Sequence, residues 1–275
     1  MNRWQQFLEG RSLEAPLVMG ILNVTPDSFS DGGHFQQLEA AKRQAERMLM
    51  AGADLIDVGG ESTRPGAHPV PLQAELDRVM PVIEMLKQEF AAVVSVDTYK
   101  PAVMQAAIEL DVDMINDVNA LQAPGAVEVV VQHQMPVCLM HKQGSPEQMQ
   151  QAPHYESVVE EVIAFLQQRA EVCQQAGLDK SKIMLDPGFG FGKTLAHNIE
   201  LFEALDQLIM LKYPVLVGVS RKSMIGQLMG EVPPDQRMIG SVTAAVLAAL
   251  KGAKLLRVHD VKETKQALDV ALALV

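Results

Sequence analysis

Aromatic residues are scarce in this chain, at 4% of 275 residues with a single Trp. Any large core has to be filled by Val, Ile, Leu, Met and Ala, and an apolar content of 48% is enough to fill one. Cysteine is nearly absent. Cys138 and Cys173 make no C-x-x-C pair and no disulfide framework. Positive charge is outweighed: 23 Lys and Arg stand against 34 Asp and Glu, a net charge of −11. That balance argues against nucleic acid or an acidic membrane as the main partner, while leaving room for a local basic site that takes a small anion. No run reaches about 18 apolar residues, so no membrane span is expected. Residues 1–16 carry Arg3, Glu9, Arg11 and Glu14, which is not the pattern of a signal peptide. No low-complexity segment or linker marks a second domain. The expectation is a soluble, reduced, cytoplasmic protein.

What is present is a regular alternation. Short apolar runs at 17–22, 55–58, 93–96, 113–115, 136–140, 183–185, 215–219 and 255–258 read as strands. Helical patterns lie between them at 38–51, 72–90, 101–110, 125–132, 156–176, 198–211, 241–251 and 261–274. Gly52, Gly177 and Gly252 sit where helices should stop, and Asp260 with Glu263 resembles a capping box opening the last helix. Near-continuous apolar strands separated by helices imply a parallel sheet covered on both faces. Eight such units favour an α/β fold closed as a (β/α)₈ barrel over an open doubly wound sheet. Residues 1–16 are expected to form an N-terminal extension over one barrel end, with 17–275 as the barrel domain.

The chain is organised around the stretch from Leu185 to Lys193, LDPGFGFGK. Pro187 cannot continue the preceding strand, and three glycines free the backbone that follows. Gly192-Lys193-Thr194 looks like the end of a P-loop. Yet Gly188 and Gly192 have three residues between them where a P-loop needs four, so the nucleotide reading is rejected. Asp186 is left at a strand's C-terminal end, where parallel α/β folds place working residues.

The other strand ends are polar too. They are Asn23-Val24-Thr25-Pro26-Asp27, the stretch from Asp57 to Gly66 (DVGGESTRPG), Asp97-Thr98, Asn116-Asp117, His141-Lys142, Ser220-Arg221-Lys222-Ser223 and Arg257-Val258-His259-Asp260. In a barrel these ends meet on one face. Asp97, Asn116 and Asp186 supply acceptors and Lys222 a donor, a set suited to a small neutral heterocycle rich in N–H groups. Arg257 and His259 lie two apart on one strand face and, with Thr63, Arg64 and Ser220, form an anion site. Asn23 is a hard oxygen donor able to hold one Mg²⁺ whose other ligands come from water and phosphate.

These stretches, with the run from Gly20 to Gly33 (GILNVTPDSFSDGG) as the longest, resemble the dihydropteroate synthase family of pterin-binding enzymes, in order and over nearly the whole chain. The resemblance implies a TIM barrel, a homodimer and Mg²⁺. It also implies condensation of 6-hydroxymethyl-7,8-dihydropterin diphosphate with p-aminobenzoate to give dihydropteroate and pyrophosphate. By the same resemblance, Asp97, Asn116, Asp186 and Lys222 meet the pterin, Asn23 the metal, and Thr63, Arg64, Arg257 and His259 the diphosphate. Phe29, Pro65, Lys222 and Ser223 surround the aminobenzoate. Asp97 and Asp31 stabilise positive charge on the pterin methylene, and Arg257 stabilises the leaving group. Tyr99 departs from the pattern, which has a small residue there.

Blander roles suit other residues. Asp57, Glu61 and Asp117 read as loop-bonding carboxylates, and His141 is as well explained by structure as by ligation. Arg221 reads as a salt bridge beside an inward Lys222. A pterin-binding methyltransferase serving a corrinoid protein shares the ring-binding residues, and it has no need of the anion site. Two further expectations complete the reading. The long loops 25–34 and 59–71 act as lids over the second substrate, and the helix at 241–250, apolar all round, lies in a two-fold dimer interface.

Overall fold

The computed structural model describes residues 2–11, 13, 15–25, 34–62, 66–144 and 148–275, with backbone only at 34 and 35. Among these, eight strands alternate with helices: β1 Leu17–Asn23, β2 Leu55–Gly59, β3 Val94–Asp97, β4 Met114–Asp117, β5 Val137–Met140, β6 Ile183–Asp186, β7 Leu216–Val217 and β8 Leu255–Val258. All neighbours pair in parallel. Their order is β6-β5-β4-β3-β2-β1-β8-β7, and a parallel bridge between Leu185 and Val215 closes the remaining seam. The closed (β/α)₈ barrel is therefore the fold, not the open sheet.

The helices are α1 Arg3–Leu8, α2 His34–Met50, α3 Leu72–Phe90, α4 Pro101–Glu109, α5 Ala126–Gln132, α6 Val158–Gln175, α7 Leu195–Glu203, α8 Leu205–Ile209, α9 Ser223–Leu228, α10 Met238–Leu250 and α11 Val261–Ala273. The expected helix at 198–211 is two helices that meet at Ala204. β7 is shorter than its apolar run. Val215 serves the seam, and Val219 already belongs to a turn, since its carbonyl accepts from the Lys222 N–H at 3.2 Å. The capping box at Asp260 does not form. Its carboxylate is drawn instead to the Arg221 guanidinium, so α11 opens without a side-chain cap.

Strand periodicity divides the side chains between two cores. Val18, Ile56, Val58, Val94, Val96, Leu139, Leu185, Val217, Leu256 and Val258 pack outward under the helices. Leu17, Met19, Leu55, Val93, Met114, Cys138, Met184, Leu216 and Leu255 fill the barrel's lower interior as a separate cluster. Trp4 of α1 is buried in that cluster and closes it from below. α1 is held there by a capping box between Asn2 and Gln5, and by Arg3, which donates to Asp54 Oδ1 at 2.7 Å and Oδ2 at 2.8 Å. One inward residue higher, polar side chains begin on five strands, with Asp57, Ser95, Asn116, Asp186 and Arg257.

Trp4→Ala leaves a large hole in this plug. It is expected to cost about 3–5 kcal/mol of unfolding free energy, read as a lower urea midpoint at unchanged slope. A loss below about 1 kcal/mol would show that the plug contributes little to barrel stability.

Candidate active site

The upper interior is a row fixed by strand register. Asn23 pairs with Gly59, Gly59 with Asp97, and Asp97 with Asn116, so all four positions lie at one height and share the inward face. Gly59 contributes no side chain, and that lets its neighbours converge. A Cβ there would stand 3.6 Å from Asn23 Oδ1 and 3.7 Å from Asp97 Oδ2. One layer below lies Asp57, in register with Ser95 and completely buried.

Arg257 on β8 ties these layers together. Its Nε donates to Asp57 Oδ2 at 2.6 Å and its Nη2 to Asp97 Oδ2 at 2.9 Å. Asn116 Nδ2 also donates to Asp57 Oδ2, at 3.2 Å. Burial works against the guanidinium charge, but Asp57 and Asp97 more than offset it and hold its pKa above the ordinary value. Burial raises the Asp97 carboxyl, with Arg257 opposing. The sequence reading of Asp57 as a loop-bonding carboxylate is corrected: it joins the site through Arg257 and Asn116. The signal was available, because Asp57 shares the inward face with Gly59 two residues on.

Asp186 and Lys222 form the opposite wall. Asp186 Oδ1 accepts from the Gly188 N–H at 2.7 Å, and burial raises its pKa, with Lys222 working against that rise. The Lys222 ammonium donates to the Phe189 carbonyl and stands 4.5 Å from the Phe191 ring centroid. Burial lowers the Lys222 pKa to about 8, although Asp186 favours the charged form. Arg221 does turn outward to Asp260, while Lys222 faces the site. Ser223 follows as the exposed first residue of α9. His259 Nδ1 lies 3.0 Å from Ser220 Oγ, which also accepts from the His259 backbone N–H at 3.1 Å.

Phe29, Asp31, Thr63, Arg64 and Pro65 lie outside the described residues, as do most of the first loop and the middle of the second. What is described of the second loop is anchored. Glu61 accepts from the Tyr99 hydroxyl at 3.0 Å and pairs with Lys100, which also pairs with buried Glu75. Tyr99 thus binds the loop. Asp117 accepts from the backbone of Asn119 at 2.6 Å and Leu121 at 2.8 Å, the loop-bonding role read from sequence. Lys193 turns back into its own loop, which agrees with the rejected P-loop. Among the described residues, no group of three or more His, Cys, Asp or Glu could hold a metal by itself. Nor, among them, is any helix long and apolar enough to cross a membrane.

The mouth thus gathers the acceptors of Asp97, Asn116 and Asp186, with three carboxylates, counting Asp57, beside the cations of Arg257 and Lys222. The family model described as "Pterin binding enzyme" matches residues 19–259. The dihydropteroate synthase of Escherichia coli (strain K12) is 51% identical over 269 residues, 97% of this chain and 95% of that protein. The Yersinia pestis dihydropteroate synthase, solved in complex with a sulfonamide drug, superposes with a TM-score of 0.90 at 54% identity, over 96% of this chain and 95% of the other. The Xanthomonas albilineans dihydropteroate synthase, solved in complex with 7,8-dihydropteroate, gives a TM-score of 0.85 at 47% identity, over 96% and 94%. Matched along nearly its whole length, the chain belongs to the dihydropteroate synthase family of pterin binding enzymes.

Proposed function

We infer that the barrel mouth condenses 6-hydroxymethyl-7,8-dihydropterin diphosphate with p-aminobenzoate, releasing pyrophosphate and 7,8-dihydropteroate. The observation that carries this reading is the half-buried Arg257 held between Asp57 and Asp97, opposite Asp186 and Lys222. Asp186, Asp97 and Asn116 accept or exchange hydrogen bonds with the pterin edge. The bond from the pterin methylene carbon to the diphosphate oxygen breaks, and its electron pair leaves with the diphosphate. The excess of carboxylates at the floor stabilises the positive charge left on the ring and methylene. The aniline nitrogen, already a neutral nucleophile, adds to that carbon and then loses a proton.

Arg257, His259, Thr63 and Arg64 are proposed to grip the diphosphate, and Phe29, Pro65, Ser223 and Lys222 to border the aminobenzoate. Asp31, from the first loop, adds a second carboxylate near the methylene. The amide oxygen of Asn23 and the carboxylate of Asp97, converging over Gly59, are hard donors that fit Mg²⁺. Bound there with the diphosphate, the ion would supply charge neutralisation of the leaving group. The methyltransferase reading is not favoured, since the relatives are synthases. Sulfonamides are expected to compete with aminobenzoate here, as the Yersinia complex suggests.

A homodimer is proposed through α10 and α11. Ile239 is 71% exposed, Leu247 48%, Leu250 46% and Val270 61%, an apolar face that the barrel itself leaves wet. Buried free thiols at Cys138 and Cys173 fit a reducing cytoplasm.

Four outcomes are expected. Protein mixed with both substrates and Mg²⁺ releases pyrophosphate; release that does not require aminobenzoate would contradict the condensation. Asp186→Ala loses pterin affinity by roughly ten- to hundredfold, the value of a charge-assisted hydrogen bond, while Asp97→Ala also loses turnover; wild-type pterin affinity in Asp186→Ala would sink the assignment. The Lys222 pKa lies below its usual value, so its charge is present below, and lost above, a pH of about 8. The pterin kcat/KM therefore falls on the alkaline side near that pH, and Lys222→Arg moves the fall upward; an unmoved alkaline limb would assign it to another group. Sedimentation at micromolar concentration should show a dimer, and a monomer would refute the proposed interface.

A further inference from the structure

One buried charge takes no part in the chemistry above. Lys193 is only 3% exposed. Its Nζ donates to the carbonyls of Gly188 at 2.9 Å and Phe191 at 3.2 Å, and lies 3.0 Å from His141 Nδ1. Burial, followed by the Lys222 charge, lowers the Lys193 pKa to about 7; in its protonated form the group has three donors and no acceptor, and these three partners saturate it. His141 must then offer a lone pair at Nδ1 and stay neutral. Burial, followed by the Lys193 charge, lowers the His141 pKa to about 3, consistent with that state. The imidazole is itself fixed by an edge-on contact with Phe165, with ring centroids 5.0 Å apart.

The loop that Lys193 grips carries both halves of one wall of the site. The Gly188 N–H points at Asp186 Oδ1, and the Phe189 carbonyl receives Lys222. The loop also lies directly on the end of β5. Gly188 has φ of 67°, and a Cβ there would stand 1.8 Å from the His141 carbonyl oxygen. Gly192 has φ of 62°, and a Cβ there would meet the Gln143 carbonyl oxygen at 2.3 Å. Only glycine allows this approach. An apolar pair would fill the same volume without burying an ammonium close to a second cation. The ammonium is explained by the carbonyls it must turn inward.

We propose that Lys193 and His141 form a positioning clamp, which holds the loop 187–192 so that Asp186 and Lys222 are set for the pterin before it arrives. The proposal rests on the assignment of Asp186 to the pterin ring. Neither clamp residue touches substrate. Their removal acts through preorganisation of a single wall, and therefore on one substrate.

The test compares Lys193→Met, His141→Leu, His141→Asn and the double variant Lys193→Met/His141→Leu, with Asp186→Ala as the control. Steady-state KM for each substrate, calorimetric pterin binding and Tm are measured on every variant. Lys193→Met is expected to raise the pterin diphosphate KM about tenfold or more, the effect of losing a hydrogen bond to a charged group, with the aminobenzoate KM changed less than twofold. The double variant should be no worse than Lys193→Met, because His141 acts through Lys193. His141→Asn, whose amide oxygen can accept where Nδ1 did, should recover part of what His141→Leu loses. If Lys193→Met does not fold, the two His141 variants decide by the same KM comparison. Wild-type pterin KM in a folded clamp variant, or both KM values rising together with the loss in Tm, would overturn the clamp. Normal pterin binding by Asp186→Ala would instead overturn the ring assignment beneath it.

Discussion

The site depends on a half-buried guanidinium held between two carboxylates. Arg257 reaches Asp57 and Asp97, and Asp57 in turn receives Asn116. Such a group is tolerable inside a barrel only when its partners are fixed, since removing one would strand the others without water. The register of β1 to β4 does the fixing. It brings Asn23, Gly59, Asp97 and Asn116 to one level and sets Asp57 just beneath. The same alternation that makes the lower interior apolar makes the upper interior polar, and Trp4 seals the far end.

Electrostatics and backbone geometry meet in the loop after β6. Asp186 is placed by the strand, but its carboxylate is oriented by the Gly188 N–H, and Lys222 is oriented by the Phe189 carbonyl. Both are backbone groups of one loop, and Gly188 lies against the end of β5 where a side chain would clash.

Much of this was legible in the sequence, because strand ends in a parallel barrel are compelled to converge. Eight apolar runs sufficed for closure, and the polar residues after them marked Asp97, Asn116, Asp186, Lys222 and Arg257. Three features were not legible, each for a physical reason. Asp57 sits within an apolar run; its spacing from Gly59 marked the inward face, but its partner Arg257 arrives from 200 residues away. Lys193 mimics a phosphate-binding lysine, and only the backward course of its loop shows that it binds carbonyls. Asp260 had the spacing of a helix cap, yet the Arg221 guanidinium is a stronger partner than a backbone N–H. Phe29, Asp31, Thr63, Arg64 and Pro65 lie outside the described residues, so their places rest on the motif alone.

The central claim is that the half-buried Arg257 network shapes the proposed ring-binding floor, including through Asp57, which lies beneath it. Calorimetric titration of 6-hydroxymethyl-7,8-dihydropterin, which carries no diphosphate, into wild type and Asp57→Asn tests it directly. The account predicts weaker ring binding in Asp57→Asn, by roughly tenfold or more, the scale expected when one partner of a buried charge pair is neutralised. Equal ring affinity in the two folded proteins would contradict it, and would reduce the Arg257–Asp57 pair to a support for the barrel alone.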